Sequence, residues 1–257
     1  MVRLDRPDAA AAHALYRAND AYFPLIGAVL LGLQDGWVYA DAILSPRRFY
    51  VEHSFGFAQL FGEENAAFDA TLQAYLITNK AFQAQKVRLY TPIEPGFLQG
   101  PAFAAQRAER QRFRLDPARH APSDGTNHKI VVRDVVPAEI DRIEAAFDVV
   151  SRFWCGPADF LAHAGAVAAW HGHLPVAICY AAAAANGMAE IDVATDAAYR
   201  RQNLGRRVVD AFVTRCRGQG LQPVWDCFTN NAGSMNLCRA AGFVSVRPPY
   251  PFYTLAR

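Results

Sequence analysis

The sequence predicts an α/β protein with two domains, in which mixed, mostly antiparallel sheets are flanked by helices. Three observations lead to this prediction. Runs in which every second residue is apolar, as in strands, recur between runs in which apolar residues have the spacing of a helix. The dipeptide Asn186-Gly187 joins two strand-like runs and is typical of antiparallel hairpins. Residues 120–127 are rich in turn-forming residues, which places the boundary between an α+β domain at 1–122 and a second domain at 123–257.

The composition is that of a chain that forms a hydrophobic core. Of the 257 residues, 52% are hydrophobic and 19% are charged, which argues against disorder. A net charge of +2 is too small to predict nucleic-acid binding. The apolar stretch at residues 22–33 is too short to span a bilayer, and the residues before it lack the basic-then-apolar order typical of a signal peptide. The five cysteines lack metal or disulfide spacing, so we expect reduced thiols, no metal site and a cytoplasmic protein.

The first domain is predicted from local pattern and turn residues. We expect helices at residues 8–19 and 63–80, a hairpin of residues 25–33 and 37–41 around Gln34-Asp35-Gly36, and strands at residues 49–61, 87–90 and 112–115.

The second domain has a more regular alternation. We expect strands at residues 129–136, 165–170, 175–184, 188–195, 223–227 and 250–255, with a further strand from residue 242, and helices at residues 137–150, 204–217 and 232–241.

One turn carries the strongest functional signal in the sequence. Arg200-Arg201-Gln202-Asn203-Leu204-Gly205 lies between a strand and a helix, where the first N–H groups of the helix can bind an anion. Gly205 removes a side chain from the approach, and Asn203 tolerates a positive φ. Arg206 and Arg207 add further positive charge. The alternative is an ordinary helix start with solvated arginines.

Other phosphate, metal and hydrolase motifs fit poorly. The turn lacks the Gly-Lys-Ser/Thr ending of a P-loop and the three glycines of a Rossmann fingerprint. His171 and His173 flank a predicted turn without a nearby carboxylate, which favours solvated side chains over a metal site. His53 stands near Ser54 and Glu52, but no nucleophile elbow is present.

Two blocks of sequence resemble the GNAT superfamily of N-acetyltransferases. The residues from Arg200 to Gly205 resemble its Gln/Arg-x-x-Gly-x-Gly/Ala signature, with Asn203 in place of the middle glycine. Asn230-Asn231, Ser234 and Ala240-Ala241-Gly242-Phe243 resemble its Asn-x-x-Ala/Ser…Gly-Phe helix. The resemblance covers residues 128–257. Trp225-Asp226-Cys227 is similar to the zwittermicin-resistance branch, whose extra N-terminal region fits residues 1–120, and this region resembles a degenerate GNAT-like half.

The resemblance implies a GNAT fold with acetyl-CoA as co-substrate and no metal. It implies a sheet split between the strands at 188–195 and 223–227, with the pantetheine arm in the gap. The implied cofactor contacts are the backbone of Val193 and Thr195, the positive charge of Arg200 and Arg201, the N–H groups of Gln202, Asn203, Leu204, Gly205 and Arg206, and Asn231 and Ser234.

Candidate acid and base residues follow from the same resemblance. Glu190 and Asp192 alternate on one strand and so share a face, and Asp226 lies on the next strand. One of them is the expected base, with Glu190 preferred; salt bridges to arginines or a solvent-facing position are the alternatives. Cys238 stands where the family usually has a tyrosine acid. A small residue facing the core is its alternative, and Tyr199, Tyr250 and Tyr253 are other candidates for the acid.

The expected activity is transfer of an acetyl group from acetyl-CoA to the amine of a small molecule. No nucleic-acid or membrane partner is expected. Two rivals remain, a protein or peptide N-acetyltransferase and an acyl-CoA sensor that has lost catalysis.

Overall fold

The computed structural model describes residues 1–19, 21–123 and 129–257. The chain divides into two compact units. The first comprises Met1–Arg110 and Pro249–Arg257, and the second comprises Gln111–Pro248. The boundary expected at residues 122 and 123 stays a prediction for the functional domains, and residues 124–127 of the expected boundary loop lie outside the described residues.

The strands in the described residues are β1 (Val2–Leu4), β2 (Gly36–Ala40), β3 (Arg48–His53), β4 (Phe57–Gly62), β5 (Lys86–Tyr90), β6 (Arg107–Leu115), β7 (Ile130–Asp134), β8 (Val167–His171), β9 (Leu174–Ala185), β10 (Met188–Thr195), β11 (Gln222–Phe228), β12 (Phe243–Ser245) and β13 (Tyr250–Ala256). The α-helices are α1 (Arg6–Arg17), α2 (Pro24–Leu30), α3 (Ala66–Gln73), α4 (Ile140–Phe147), α5 (Val150–Phe153), α6 (Pro157–His163), α7 (Leu204–Gly218) and α8 (Ala232–Ala240).

The first unit is built on strands in the order β1-β2-β3-β4-β5-β13, followed by the start of β6. The pairs from β1 to β4 are antiparallel, β4 and β5 are parallel, and β13 returns antiparallel to β5. Phe68 and Leu72 of α3 pack with Leu89 of β5 and Leu255 of β13 in one hydrophobic core.

The second unit has the strand order β6-β11-β10-β9-β8-β7, and β12 also pairs with β6. The pairs from β7 to β10 are antiparallel, whereas β10 and β11 are parallel. On one face of this sheet, Val208, Val209 and Phe212 of α7 pack in a core with Ala189 and Ile191 of β10. Helix α4 packs on β9.

The two units repeat one topology. In each, four antiparallel strands are followed by a fifth that runs parallel to the fourth. Helices connect the first and second strands, and one helix connects the fourth and fifth. The prediction of mixed, mostly antiparallel sheets flanked by helices is confirmed, whereas the interpretation of the N-terminal region as a degenerate GNAT-like half stays a prediction.

The expected hairpin over residues 25–33 is wrong, because Pro24–Leu30 is a helix. Every residue of this helix is buried, so the sequence shows no polar face and its apolar run resembles a buried strand. Pro24 starts the helix, where its missing N–H costs nothing. Gly27 lets Tyr22 pack close, since a Cβ there would meet the Tyr22 hydroxyl oxygen at 1.9 Å.

The single strand expected over residues 49–61 is also wrong, because it is the hairpin of β3 and β4. The turn requires Gly56, which has φ +91° and lies so close to the backbone of Lys86 that a Cβ would stand 2.1 Å from its carbonyl oxygen. The helix expected over residues 137–150 ends earlier, at Phe147, because Asp148 adopts a left-handed conformation with φ +51°.

In the part of the chain that the structure describes, no helix has both the length and the apolar character that crossing a membrane requires.

Candidate active site

The sheet of the second unit opens between β10 and β11. Their pairing runs only from Met188 opposite Gln222 to Glu190 opposite Val224, although β10 continues to Thr195 and β11 to Phe228. The carboxyl halves of the two parallel strands therefore leave a wedge between them. The register of β9 against β10 shifts at Glu190 and Ile191, a bulge that bends the ladder where the separation begins.

Strand alternation shows which backbone groups face this wedge. The N–H of Asp196 donates to the carbonyl of Val176 in β9 at 3.0 Å. Because successive residues of a strand point their N–H and C=O groups to opposite sides, those of Val193 and Thr195 point away from β9 and toward the wedge. These are the backbone groups that the resemblance assigned to the cofactor.

The turn at the end of β10 has the conformation that the sequence predicted. Asn203 has φ +60°, so the expectation of a positive φ at this position is confirmed, and Arg201 has φ +61°. In the described part of the chain, no hydrogen-bond acceptor engages the N–H groups of residues 202–206, and the first N–H of α7 that is bonded is that of Arg207, to the Asn203 carbonyl at 3.1 Å. A row of N–H groups at a helix start can bind an anion.

Gly205 lies where the turn meets the wedge. A Cβ at this position would stand 3.2 Å from Leu237 Cδ2 of α8 and 3.5 Å from Thr195 Oγ1 at the end of β10. A longer side chain would therefore enter the space between the helix start, β10 and α8.

The four arginines of the turn do not act alike. Arg206 donates to Asp210 Oδ1 at 2.7 Å and to the carbonyls of Ala240 and Ala121, and Arg207 donates to the Ile130 carbonyl at 3.0 Å. These contacts bind both side chains to the body of the unit, and their expected contribution of charge to an anion stays a prediction. The side chains of Arg200 and Arg201 are exposed at the turn, and Arg200 Nε donates to the Thr195 carbonyl at 3.5 Å.

The corresponding turn of the first unit has a different sequence and a different cap. There β4 is followed by Glu63 and Glu64 instead of arginines, and the side chain of Asn65 accepts the N–H of Phe68 at 3.1 Å. The start of α3 is thus capped by its own chain, which occupies an N–H that a phosphate would need, and Glu63 is paired with Arg47 at 3.1 Å.

Asn231 and Ser234 form the start of α8. Asn231 Oδ1 accepts the N–H of Ser234 at 3.0 Å, and Ser234 Oγ accepts the indole N–H of Trp225 at 3.0 Å. Each side chain thus has a structural partner, and their expected contact with the cofactor stays a prediction.

Glu190 and Asp226 lie together in the interior beside Arg112 of β6. Arg112 Nη1 is 3.7 Å from Glu190 Oε1 and 3.7 Å from Asp226 Oδ2, and all three side chains are at most 7% exposed. The structure favours the ion-pair alternative for these two carboxylates over the role of base. Arg112 was not among the predicted site residues, because its alternation with Phe113 and Leu115 in β6 places it on the same face as the exposed Arg114.

Asp192 is the more accessible carboxylate, with 36% of its side chain exposed. Its Oδ2 accepts the Tyr180 hydroxyl at 2.5 Å and lies 3.5 Å from Arg152 Nη1, while its Oδ1 accepts the N–H of Val193 at 3.0 Å. Burial and the Asp192 carboxylate hold the pKa of Tyr180 well above its usual range, so the hydroxyl remains a donor.

Glu190 and Asp192 share a face of β10, as predicted. Ala189, Ile191 and Val193 pack with the core around α7, so the residues between them lie on the opposite face. The rings of Phe153 and Phe160 lie beside Tyr180 on that face, with centroids 6.5 and 5.6 Å from the Tyr180 ring. Sequence analysis did not identify Tyr180 or Arg152, because their contact with Asp192 depends on the packing of α5 against β9 and β10.

Cys238 is buried in the core with 0% exposure. Burial raises the pKa of its thiol, with a smaller contribution from Cys227, and such a group is a poor proton donor. The structure favours the core alternative for this residue. Tyr199 instead bonds His171 Nδ1 at 2.9 Å, and the Tyr253 hydroxyl donates to Glu94 in the first unit.

Comparisons with known proteins agree on one family. The model of the GNAT acetyltransferase family matches residues 19–253. An uncharacterised N-acetyltransferase of Bacillus subtilis, YdfB, is 28% identical over 102 residues, which are 40% of this chain and 39% of that protein's length. The chain thus matches well under half the length of this curated relative.

Two solved structures show the same fold. A GCN5-related N-acetyltransferase-like protein of Streptococcus suis matches 98% of this chain and 100% of its own, with a TM-score of 0.73 and 16% identity. The glucosamine N-acetyltransferase region of a fungal β-N-acetylglucosaminidase matches 99% of this chain and 38% of its own, with a TM-score of 0.62 and 12% identity. Since the family model covers most of the sequence, the chain belongs to the GNAT family of N-acetyltransferases.

Proposed function

We propose that this protein transfers an acetyl group from acetyl-CoA to the amine of a small molecule. The observation that carries the proposal is the wedge between β10 and β11 with a row of N–H groups, those of residues 202–206, at its open end. The wedge suits the extended pantetheine arm of coenzyme A, and the row of N–H groups suits its pyrophosphate.

The cofactor is bound mainly by backbone in this proposal. The N–H groups from Gln202 to Arg206 bind the pyrophosphate, and Arg200 and Arg201 add positive charge from the exposed side of the turn. The backbone groups of Val193 and Thr195 pair with the pantetheine amides, as an added strand would. Because the first unit has an acidic, self-capped turn, we expect one acetyl-CoA per chain.

The reaction is direct attack by the amine. The nitrogen lone pair of a neutral amine forms a bond to the thioester carbon, the C–S bond breaks, and the nitrogen gives up one proton. Asp192 is our choice for the base, directly or through one water, because Glu190 and Asp226 are held by Arg112 in the interior.

The leaving group needs no protein acid in this scheme. CoA leaves as a thiolate, because thiolates are stable leaving groups, and takes its proton from solvent. Cys238 is buried and has a raised pKa, so it plays no part in this step.

The acceptor class and the branch remain proposals. Trp225-Asp226-Cys227 supports a likeness to the zwittermicin-resistance branch, and an antibiotic-like or amino-acid-like amine follows from it. The glucosamine N-acetyltransferase region among the similar structures suggests amino sugars for the same test. A polypeptide acceptor is tested by including peptides with free N-termini and lysines.

The test is release of free CoA from acetyl-CoA by the purified protein with a panel of amino acids, aminoglycosides, amino sugars and peptides. Turnover with a small amine supports the proposal, and turnover with peptides alone assigns the protein acceptor instead. An acyl-CoA sensor is the second candidate, favoured by the buried thiol at position 238. Tight CoA binding without turnover across the panel would establish the sensor.

A further inference from the structure

One carboxylate occupies a backbone group that the proposed cofactor needs. Asp192 Oδ1 accepts the N–H of Val193 at 3.0 Å, and this N–H faces the wedge between β10 and β11. If the pantetheine arm or the thioester carbonyl takes that N–H, the carboxylate oxygen has to leave it. Cofactor and Asp192 therefore compete for a single hydrogen-bond donor.

The other oxygen of Asp192 is fixed from two sides. Tyr180 of β9 donates its hydroxyl to Oδ2 at 2.5 Å, and Arg152 of α5 places Nη1 3.5 Å from the same oxygen. Arg152 is itself held, since its Nη2 donates to the Phe147 carbonyl at 3.2 Å and lies 3.9 Å from Asp148 Oδ2. When Oδ1 is displaced, these contacts keep the carboxylate beside the wedge.

We propose that Arg152 and Tyr180 are positioning residues for Asp192. The Oδ1 atom of Asp192 covers the Val193 N–H until acetyl-CoA displaces this oxygen, which then accepts a hydrogen bond from the acceptor amine. The inference rests on the proposed function. In this arrangement the Asp192 carboxylate becomes available to the amine only after the cofactor is bound. The contact of Asp192 with the Val193 N–H also lowers the affinity of the free enzyme for acetyl-CoA.

The test separates cofactor affinity from turnover. Asp192→Ala leaves the Val193 N–H open, so the affinity for acetyl-CoA, measured by calorimetry, should rise about fivefold, the net worth of one hydrogen bond. Turnover of an accepted amine should fall by about 100-fold or more, as expected for loss of a base. An Asp192→Ala variant that binds acetyl-CoA no better than the wild type would overturn the competition.

The control removes a negative charge nearby without touching Val193. Asp148 has an 88% exposed side chain and a left-handed backbone that asparagine also tolerates. Asp148→Asn should leave the affinity for acetyl-CoA within twofold of the wild type. A gain in affinity equal to that of Asp192→Ala would attribute the effect to charge alone and would overturn the inference.

The positioning role has its own variant. Tyr180→Phe keeps the ring between Phe153 and Phe160 and removes only the hydroxyl that donates to Asp192. We expect turnover to fall about tenfold, the worth of a hydrogen bond to a charged group, while acetyl-CoA affinity changes less than twofold. Full turnover would show that Tyr180 does not position Asp192. Failure of the wild type to bind acetyl-CoA would refute the proposed function itself.

Discussion

Gly205→Glu is the substitution that most sharply separates cofactor binding from folding. The new side chain would project from the start of α7 toward Leu237 and Thr195, into the proposed path of the cofactor. Folding should suffer little, because the nearest atom is the flexible end of Leu237 at 3.2 Å and a negative charge in the first turn stabilises a helix.

The expected loss of affinity follows from the charge. A carboxylate about 5 Å from one phosphate charge, at an effective dielectric constant of about 20, costs about 3 kcal/mol. This is a loss of roughly 150-fold in Kd for acetyl-CoA, before the steric effect is added. Part of the loss should disappear at high salt, because the turn is open to solvent.

The assay is calorimetric titration of acetyl-CoA at low and high salt, with thermal unfolding as the measure of the fold. Gly218→Glu is the matched control, since it places the same side chain in the last turn of the same helix, where a Cβ meets nothing within 4 Å. Wild-type affinity in the Gly205→Glu variant would refute the assignment of the turn to the pyrophosphate.

Three further predictions follow from the site and its surroundings. Arg112→Met leaves Glu190 and Asp226 buried without their shared cation, so we expect a loss of about 4 kcal/mol and a Tm lower by about 10 °C in thermal unfolding. Arg114→Met, at an exposed position of the same strand, should change stability by less than about 0.5 kcal/mol, and an equal loss from both would contradict the buried ion cluster. Arg201→Gln should weaken acetyl-CoA binding about threefold and reduce its salt dependence, the usual scale for an exposed charge, and an unchanged Kd at low salt would count against a cationic turn. Cys155 is exposed whereas the other four cysteines are buried, and burial raises the pKa of the Cys216 thiol to about 12, so this thiol stays protonated at pH 8. Iodoacetamide at pH 8 should therefore add once to the folded protein in intact-mass spectra. Modification at Cys216 or Cys238 would show that the core opens.

Much of the second unit could be predicted from its sequence because its signals are local. Asn186-Gly187 determines the hairpin into β10, and the observed positive φ at both residues is the conformation that this dipeptide favours. Gly218 and Gly220 mark the end of α7 within one residue of the expected position. The left-handed Asn203 was predictable for the same reason, because few residues tolerate that conformation.

The first unit was harder to predict because segments that are buried on every side show no periodic pattern of apolar and polar residues. Helix α2 is buried on every side, so its residues carry no amphipathic signal and a strand and a helix look alike. The hairpin of β3 and β4 turns at Gly56, within a run whose alternation continues on both sides of the turn.

The environments of the candidate carboxylates could not be read from the sequence. Arg112 is far along the chain from Glu190 and Asp226, and only the order β6-β11-β10 brings the three together. The partners of Asp192 likewise come from β9 and α5. Sequence alternation gave the correct face for these side chains, but long-range packing decides which of them is held in an interior ion pair.

The central claim is acetyl transfer from acetyl-CoA to an amine, and one measurement tests it most directly. The purified protein is incubated with isotope-labelled acetyl-CoA and a metabolite extract, and labelled products are identified by mass spectrometry, with Gly205→Glu as the matched control. The account predicts a labelled N-acetylated small molecule that forms with the wild type and is strongly reduced with the variant. Tight binding of acetyl-CoA with no labelled product, in the extract or with the amine panel, would contradict it.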